Sequence, residues 1–182
     1  MSYLPGLGQI TLPEVFQRYP TLGRAVLAYA HATVAMNGGL TAAECELIGA
    51  FVSRLNACGY CQRIHEEAAV VCGIDAGVFE GASGPGGPPY GDARWAPVYE
   101  FVRAVVVAPG SVSREHVGAL SEAGWPDEAI VQIVAVVGLF SLLNRFADAL
   151  GITADQAFLQ QAGRDVASLG YAGVAEALGI AG

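Results

Sequence analysis

Lysine is missing from the 182-residue chain, whose nine basic residues are all arginine against 17 acidic ones, for a formal net charge of −8. The arginines are scattered and form no basic patch, so nucleic acid and anionic membrane surfaces are poor candidates for partners. Charged residues make up only 14% of the chain and hydrophobic residues 53%. Such a composition excludes a disordered chain and predicts that part of the apolar surface is covered in a homo-oligomer.

Targeting and membrane-spanning patterns are also missing. The first residues, MSYLPGLGQITLPEV, lack the basic start and the continuous apolar run of a signal peptide. The strongly apolar, uncharged stretch at residues 129–144 is shorter than the ~20 residues that span a bilayer, and we expect a buried core helix there. These patterns predict a cytoplasmic protein, where thiols stay reduced and a close cysteine pair is more often redox-active or metal-binding than structural.

Strand signals are lacking too, because no segment alternates apolar and polar residues between hairpin turns. Helix signals are frequent instead. Thr41 and Glu44 form a capping box that opens a helix to about Leu55. The fold class we predict is all-α, with an irregular segment over residues 1–13. Further helices are expected at residues 21–36, 58–72, 95–107, 113–123 and 126–149, and one from residue 153.

A glycine- and proline-rich stretch, GASGPGGPPYG at residues 81–91, is the clearest linker. We expect an exposed loop there, between a first half at residues 10–80 and a second at residues 92–182 of a single domain spanning 1–182. Each half has a capped helix followed by a long apolar one, which suggests a duplicated helix-pair unit. The second half has no cysteine, so a second copy would lack thiol chemistry.

Two of the four cysteines, Cys58 and Cys61, form a C-x-x-C pair, and His65 follows four residues later. On one helix these three residues share a face. Residues 56–59 interrupt the preceding apolar periodicity, so the pair is expected at a helix start, where free N–H groups and the helix dipole stabilise a thiolate. The pattern therefore indicates thiol chemistry.

The role of each cysteine can be argued in two ways. Helix-terminus reasoning favours Cys58, the first and more exposed cysteine, as the nucleophile with the lower pKa. Proximity to His65 favours Cys61, because the imidazole can take its proton. Glu46, on the preceding helix, can orient His65 only if the two helices pack as a hairpin.

The pattern Glu46-x11-Cys58-x-x-Cys61-x-x-x-His65 resembles the AhpD-like alkylhydroperoxidase branch of the carboxymuconolactone decarboxylase superfamily. SRLNACGYCQRIH, residues 53–65, is most similar to its peroxidase-related subgroup. LLNRFADALGI, residues 142–152, is similar to the asparagine–arginine segment of that subgroup. The resemblance implies an AhpD-like helical bundle that oligomerises.

The same resemblance implies a peroxidase that needs no cofactor and no metal. Cys61 would be the peroxidatic cysteine and Cys58 the resolving one, with Glu46 and His65 as a proton relay. The substrate would be a small organic hydroperoxide or hydrogen peroxide, and a dithiol or a redox protein would restore the thiols. Tyr60 is a secondary candidate: AhpD itself has a histidine there, and a phenol with a pKa near 10 can donate a hydrogen bond but cannot act as a base at neutral pH.

Other functions stay open at this point. A thiol–disulfide reductase or adaptor that passes electrons to a protein partner would use the same pair. A non-enzymatic binding module with zinc on Cys58, Cys61, His65 and Cys72 is a further alternative, although the spacing is compressed for a structural zinc site. A lactone decarboxylase fits poorly, since that branch does not need the C-x-x-C pair.

The remaining polar and thiol residues have structural interpretations. Cys45 and Cys72 are predicted to be packed core thiols, because free cysteine is among the most buried residue types. His31 is expected to be a structural histidine on an apolar helix, and His116 to lie at the surface. Asn144 and Arg145 are interpreted as a buried polar pair at a subunit interface.

Overall fold

The computed structural model describes residues 2–80 and 91–181, and within these ranges the chain forms helices and no strand. The all-α prediction is therefore confirmed. Short 3₁₀ turns occur at Ala93–Trp95 and Pro109–Ser111. The helices are α1 (Leu12–Arg18), α2 (Pro20–Val34), α3 (Ala42–Leu55), α4 (Gly59–Val71), α5 (Gly77–Glu80), α6 (Ala96–Val107), α7 (Arg114–Glu122), α8 (Asp127–Ala149) and α9 (Gln156–Ala177).

Helix α8 is the central helix, and it packs against α2, α3, α4, α6 and α7. Its length and hydropathy would also suit a membrane span, but 56% of its most apolar 18-residue window is buried within the fold. The buried residues of its middle turns, among them Ile133, Val136 and Phe140, face helices of the same chain. The sequence-based expectation of a core helix at residues 129–144 thus agrees with the packing.

Helices α3 and α4 form the tightest helix pair and carry the predicted thiol site. The Thr41 side chain accepts a hydrogen bond from the Glu44 backbone N–H, and the Glu44 carboxylate accepts one from the Thr41 N–H, so the predicted capping box is present. α4 begins at Gly59 with Cys58 as its N-cap residue. The hairpin on which the reach of Glu46 depends is therefore formed.

The irregular segment predicted for residues 1–13 is wrong at its end, because α1 already begins at Leu12. Pro13, read from the sequence as a helix breaker, lies in the first turn, where its missing N–H has no intrahelical partner to lose. Thr11 and Glu14 form a second capping box at this helix start. α1 packs against α2 and lies over the thiol site.

Helix α9 crosses from the second half of the chain onto α2 and α4 of the first. Gly163 allows this approach, because a Cβ there would lie 2.6 Å from the Ile64 carbonyl oxygen of α4. The predicted start at residue 153 is early: Asp155 caps α9 by accepting a hydrogen bond from the Phe158 N–H. Residues 81–90 of the predicted linker lie outside the described residues, and the division into halves and their duplication stay predictions.

The turn between α3 and α4 is strained at one residue. Ala57 has φ +58°, a left-handed conformation that glycine usually supplies at the end of a helix. The Cys58 N–H donates to the Ser53 carbonyl and the Ala57 N–H to the Arg54 carbonyl, so the backbone forms a Schellman motif. The hydrogen bonds of this motif hold Cys58 in its position at the start of α4.

We predict that Ala57→Gly stabilises the protein by about 0.5–1 kcal/mol, since glycine has no Cβ to clash in the left-handed region. For a chain of this size the melting temperature should rise by ~1–4 °C, as measured by circular dichroism. Ala50→Gly, in the middle of α3, is the opposing control and should lower it. An equal loss of stability in both variants would contradict the strain assigned to Ala57.

Candidate active site

Glu46 on α3 and His65 on α4 meet in the interior of the helix pair. His65 Nδ1 lies 2.7 Å from Glu46 Oε2, and both residues are buried. The imidazole edge also contacts the Phe140 ring of α8, with the ring centroids 4.4 Å apart. Because Nδ1 is bound to the carboxylate, Nε2 is the nitrogen that can exchange a proton with a group on the cavity side.

A glycine on α3 makes room for the ring that supports His65. A Cβ at Gly49 would lie 2.4 Å from the Phe140 ring, closer than atoms can approach. Only glycine therefore lets Phe140 occupy its place against both α3 and the imidazole. The orientation of His65 is thus fixed by a carboxylate on one side and an aromatic ring on another.

Cys58 and Cys61 lie side by side at the start of α4, both as free thiols and both buried. Cys61 lines a cavity that also reaches His65, whereas Cys58 is fully enclosed. The expectation that Cys58 is the more exposed cysteine is therefore wrong, because the α3–α4 turn and the core cover it. The cavity gives a small molecule a route to Cys61.

The electrostatics of Cys61 differ from the stabilised thiolate expected at a helix start. The neighbouring Cys58 thiol, and then burial, raise the pKa of Cys61 well above its ordinary value. A hydrogen bond from Asn144 acts in the opposite direction and lowers that pKa. At neutral pH Cys61 is therefore a thiol, and it needs a base to become a nucleophile.

Asn144 on α8 connects the thiols to the α3–α4 turn. Its Nδ2 donates to Ser53 Oγ at 2.9 Å, and its Oδ1 accepts from Asn56 Nδ2 at 2.9 Å. The predicted Asn144–Arg145 pair is not formed as expected: Asn144 is buried against the thiol site, whereas Arg145 is exposed and donates to the Ser141 carbonyl. Asn144 is therefore a residue of the site.

The cavity beside Cys61 has a volume of about 300 Å³ and is enclosed by α1, α4 and α9, with one residue each from α2 and α8. Most of its lining is aliphatic or aromatic. Polar atoms other than those of Cys61 and His65 come mainly from Tyr60, Tyr171, Gln161 and Asp165. An apolar molecule with one polar reacting group would fit such a lining.

Tyr60, the secondary candidate, lies at this cavity and is 8% exposed. Its hydroxyl oxygen accepts a long hydrogen bond, 3.4 Å, from the Leu12 N–H at the start of α1, and its ring stacks on Phe158. Burial raises the pKa of Tyr60 above its ordinary value. The residue stays a neutral phenol that ties α1 to the cavity wall, so it cannot act as the base.

Sequence reasoning missed Tyr171, a buried residue of α9. Its hydroxyl donates to Glu46 Oε1 at 2.9 Å, so the carboxylate is bonded by His65 through one oxygen and by Tyr171 through the other. Burial, and then the Glu46 carboxylate, raise the pKa of Tyr171. No local motif marks this tyrosine, which lies 125 residues from its partner in the chain.

The outlying thiols differ from each other. Cys45 is fully buried, as predicted, and burial raises its pKa to about 12. The prediction that Cys72 is a core thiol is wrong, because this residue is half-buried at the C-terminal end of α4. It is separated from Cys58 by the whole of that 13-residue helix, so the zinc set of Cys58, Cys61, His65 and Cys72 cannot close on one ion. Across the described ranges, no three histidine, cysteine or acidic residues cluster in a metal-binding arrangement.

The two other histidines lie away from the thiols. His31 is exposed on α2 rather than packed, and it lines a second cavity of about 170 Å³ together with Glu46, Cys72 and Tyr171. His116 is half-buried at the start of α7, where its Nδ1 accepts from the Ser113 N–H. His116 is therefore part of the cap of α7. His31 lines the same second cavity as Glu46.

Comparison with known proteins places these features in a family. The carboxymuconolactone decarboxylase family matches residues 20–96, which include the α3–α4 pair. No curated protein sequence matches the chain. The chain has an AhpD-like helical fold, and the segment that matches the carboxymuconolactone decarboxylase family carries its thiol site.

Two solved structures refine this assignment. One is an uncharacterized peroxidase-related protein from Silicibacter sp. TM1040, with a TM-score of 0.67 and 21% identity over 87% of this chain and 94% of that one. The other is the alkylhydroperoxidase AhpD core of an uncharacterized peroxidase-related protein from Ralstonia eutropha JMP134, with a TM-score of 0.61 and 29% identity over 82% and 78% of the two chains. The resemblance to the peroxidase-related subgroup predicted from the sequence is confirmed.

We predict that Asn144→Ala slows the reaction of Cys61 at neutral pH. The variant loses the donor that lowers the pKa of this thiol, so direct ionisation of Cys61 should move to higher pH. Loss of a hydrogen bond worth ~0.5–1.5 kcal/mol should slow the reaction below that pH by about 2–10-fold. The measurement is the rate of Cys61 alkylation by iodoacetamide between pH 5 and 10, read by peptide mass spectrometry.

Ser53→Ala is the matched control, because it removes a partner of Asn144 and leaves the amide beside Cys61. The pH at which the alkylation rate reaches half of its alkaline maximum should rise only in Asn144→Ala. If that pH is unchanged in Asn144→Ala, or rises equally in both variants, the role given to the amide is contradicted.

Proposed function

We propose that the protein is a thiol peroxidase that needs no cofactor and reduces organic hydroperoxides through a Cys58–Cys61 disulfide. The observation that carries the proposal is the position of Cys61, which lines an apolar cavity next to a histidine held by a buried carboxylate. Peroxide reduction requires a thiolate, a proton for the leaving oxygen and a second thiol. Cys61, His65 with Glu46, and Cys58 supply these three requirements.

In the first step, the His65–Glu46 pair accepts the proton of Cys61. The thiolate sulfur then attacks the terminal oxygen of the hydroperoxide, so that an S–O bond forms as the O–O bond breaks. The sulfur is oxidised by two electrons, and the alkoxide takes the proton from His65 and leaves as an alcohol. Cys61 becomes a sulfenic acid, and the relay returns to its starting protonation state.

In the second step, Cys58 attacks the sulfenic sulfur of Cys61 and a water molecule leaves. The thiols are already in contact, but side chains three residues apart on a helix have Cβ atoms ~5–6 Å apart and a disulfide needs ~3.8 Å. The cap position of Cys58 lies outside the regular helix and can adjust. A small dithiol that enters the cavity then returns two electrons and two protons to the pair.

The cavity favours an organic hydroperoxide over hydrogen peroxide. Hydrogen peroxide has no apolar surface to bury, whereas an alkyl or aryl group can displace poorly bound water from the aliphatic walls. At about 25 cal/mol per Å², each 100 Å² of apolar surface that the substrate buries would contribute about 2.5 kcal/mol. The names of the two structural neighbours, peroxidase-related and alkylhydroperoxidase, support the same class.

The burial of both sulfurs makes a protein thiol adaptor the weaker alternative. Exchange with a partner protein requires a sulfur that a partner cysteine can reach, and neither Cys58 nor Cys61 is more than 2% exposed. A small molecule can reach Cys61 through the cavity. Hydroperoxide consumption with dithiothreitol as the sole reductant separates the two functions, because an adaptor would show little turnover without its partner.

The setting we propose for this chemistry is the reducing interior of the cell, where free thiols persist. A homo-oligomer is also part of the proposal. Val131, Val134 and Leu142 on α8 are apolar and exposed, and a second subunit would bury them.

We predict that Cys61→Ser abolishes turnover of cumene hydroperoxide, lowering it by at least ~10³-fold with dithiothreitol as reductant, because a serine hydroxyl is not ionised near neutral pH. Cys72→Ser is the matched control, at the far end of the same helix, and should retain wild-type turnover. Full activity in folded Cys61→Ser would refute the proposed nucleophile.

A further inference from the structure

We propose that Tyr171 is a positioning residue of the proton relay, which fixes the Glu46 carboxylate so that His65 can act as the base for Cys61. This inference rests on the proposed function, because a proton relay matters only if Cys61 reacts as a nucleophile. The effect of Tyr171 on the reactivity of Cys61 can nevertheless be measured without a peroxide. The residue belongs to α9, outside the segment that the family match covers. Helix α9 would thus complete a proton relay whose other members, Glu46 and His65, lie on α3 and α4.

The contacts leave Glu46 little freedom. Tyr171 donates to Oε1 at 2.9 Å and His65 holds Oε2 at 2.7 Å, so each oxygen of the carboxylate has one partner. Tyr171 is 5% exposed and Glu46 2%. A buried carboxylate is costly unless it is hydrogen-bonded, and Tyr171 is a donor that ties it to a distant part of the chain.

A distortion of α9 places the hydroxyl. Gly170 has φ +64° and ψ 174° inside the helix, a conformation that is essentially limited to glycine. The break changes the direction of α9 immediately before Tyr171, while Gly163 holds the preceding part of the helix against α4. A regular helix would not require this strained residue, so the distortion supports a specific demand on the position of Tyr171.

Tyr171 also separates two cavities. It lines both the cavity that reaches Cys61 and His65 and the second cavity, on which Glu46 borders. The carboxylate and the phenol therefore form part of the wall between the two spaces. Loss of the hydroxyl would leave Oε1 without its donor on the side of the second cavity.

The expected electrostatic effect has a definite sign. A hydrogen bond donated to a carboxylate favours its ionised form, so its removal makes the Glu46–His65 pair hold a proton more tightly. The pair then becomes a competent base only at higher pH. Other titratable groups near the pair are Cys61 and Asp165 on the first cavity, His31 and Cys72 on the second, and Cys45 on α3; Tyr171→Phe leaves all of them in place.

The test is the pH dependence of Cys61 alkylation by iodoacetamide in fully reduced Tyr171→Phe, read by peptide mass spectrometry. The acid midpoint of the rate, where the relay becomes a base, should rise by about 0.5–1 pH unit, and the rate below that midpoint should fall ~3–10-fold. Tyr29→Phe is the control: it removes an exposed tyrosine hydroxyl that donates to the Ala135 carbonyl. It should leave the midpoint unchanged.

A lower rate with an unchanged midpoint in folded Tyr171→Phe would mean that the tyrosine only supports packing, and it would overturn the proposal. Gly170→Ala is the second variant, since it keeps the hydroxyl but strains the backbone that aims it. Gly170→Ala should also raise the acid midpoint of the alkylation rate. If either variant folds and keeps the wild-type midpoint, the proposal is overturned.

Hydroperoxide turnover is measured in parallel, so that the two proposals can fail separately. A shifted alkylation midpoint in a protein that does not consume cumene hydroperoxide would refute the peroxidase and retain the role of Tyr171. Turnover in the wild type together with an unshifted midpoint in Tyr171→Phe would refute the role of Tyr171 and retain the peroxidase.

Discussion

The burial of one carboxylate is the constraint on which the site depends. Glu46 is on the inner face of α3 among core residues, and it needs partners there because a buried charge without them would be unstable. His65 and Tyr171 are those partners, and they come from α4 and α9. Side chains from α3, α4 and α9 therefore meet at one carboxylate, and α4 and α9 also line the cavity beside Cys61.

The same burial determines the reactivity of the thiols. Exposed C-x-x-C pairs at helix starts obtain a thiolate from the local electrostatics. Here the enclosed Cys58 and the surrounding core raise the pKa of Cys61, so that reactivity depends on a base within reach. In the proposed mechanism, Cys61 stays a thiol at rest and becomes nucleophilic only with the help of His65 and Glu46. A buried thiol pair is also shielded from the solvent oxidants and protein thiols that an exposed thiolate would meet.

Much of this arrangement could be predicted from the sequence because it is local. The capping box at Thr41, the helix start at Cys58 and the spacing of Cys61 and His65 each depend on residues a few positions apart. Glu46 was assigned from the family resemblance of its spacing to the cysteines, and its reach to His65 required that the two consecutive helices pack as a hairpin. The all-α fold followed from the absence of strand patterns and the frequency of caps.

The rest depends on tertiary packing and had no local signal. Tyr171 lies in an alanine- and glycine-rich tail whose periodicity gives no indication of its partner, and nothing in the sequence marks Gly170 as the position where α9 is interrupted. Cys58 was expected to be exposed and is buried, whereas Cys72 was expected to be buried and is partly exposed. The exposure of each cysteine depends on which helices cover that end of α4, and the sequence does not show this. Asn144 was identified as buried and polar, but its partners lie 88 and 91 residues away, so its place beside the thiols could not be derived.

The most direct test of the central claim is an intact-mass measurement of the reduced protein before and after one equivalent of cumene hydroperoxide. We predict a loss of about two mass units, mapped by peptide analysis to a bond between Cys58 and Cys61, with Cys45 and Cys72 still free. An unchanged mass, or a disulfide that involves Cys72, would contradict it.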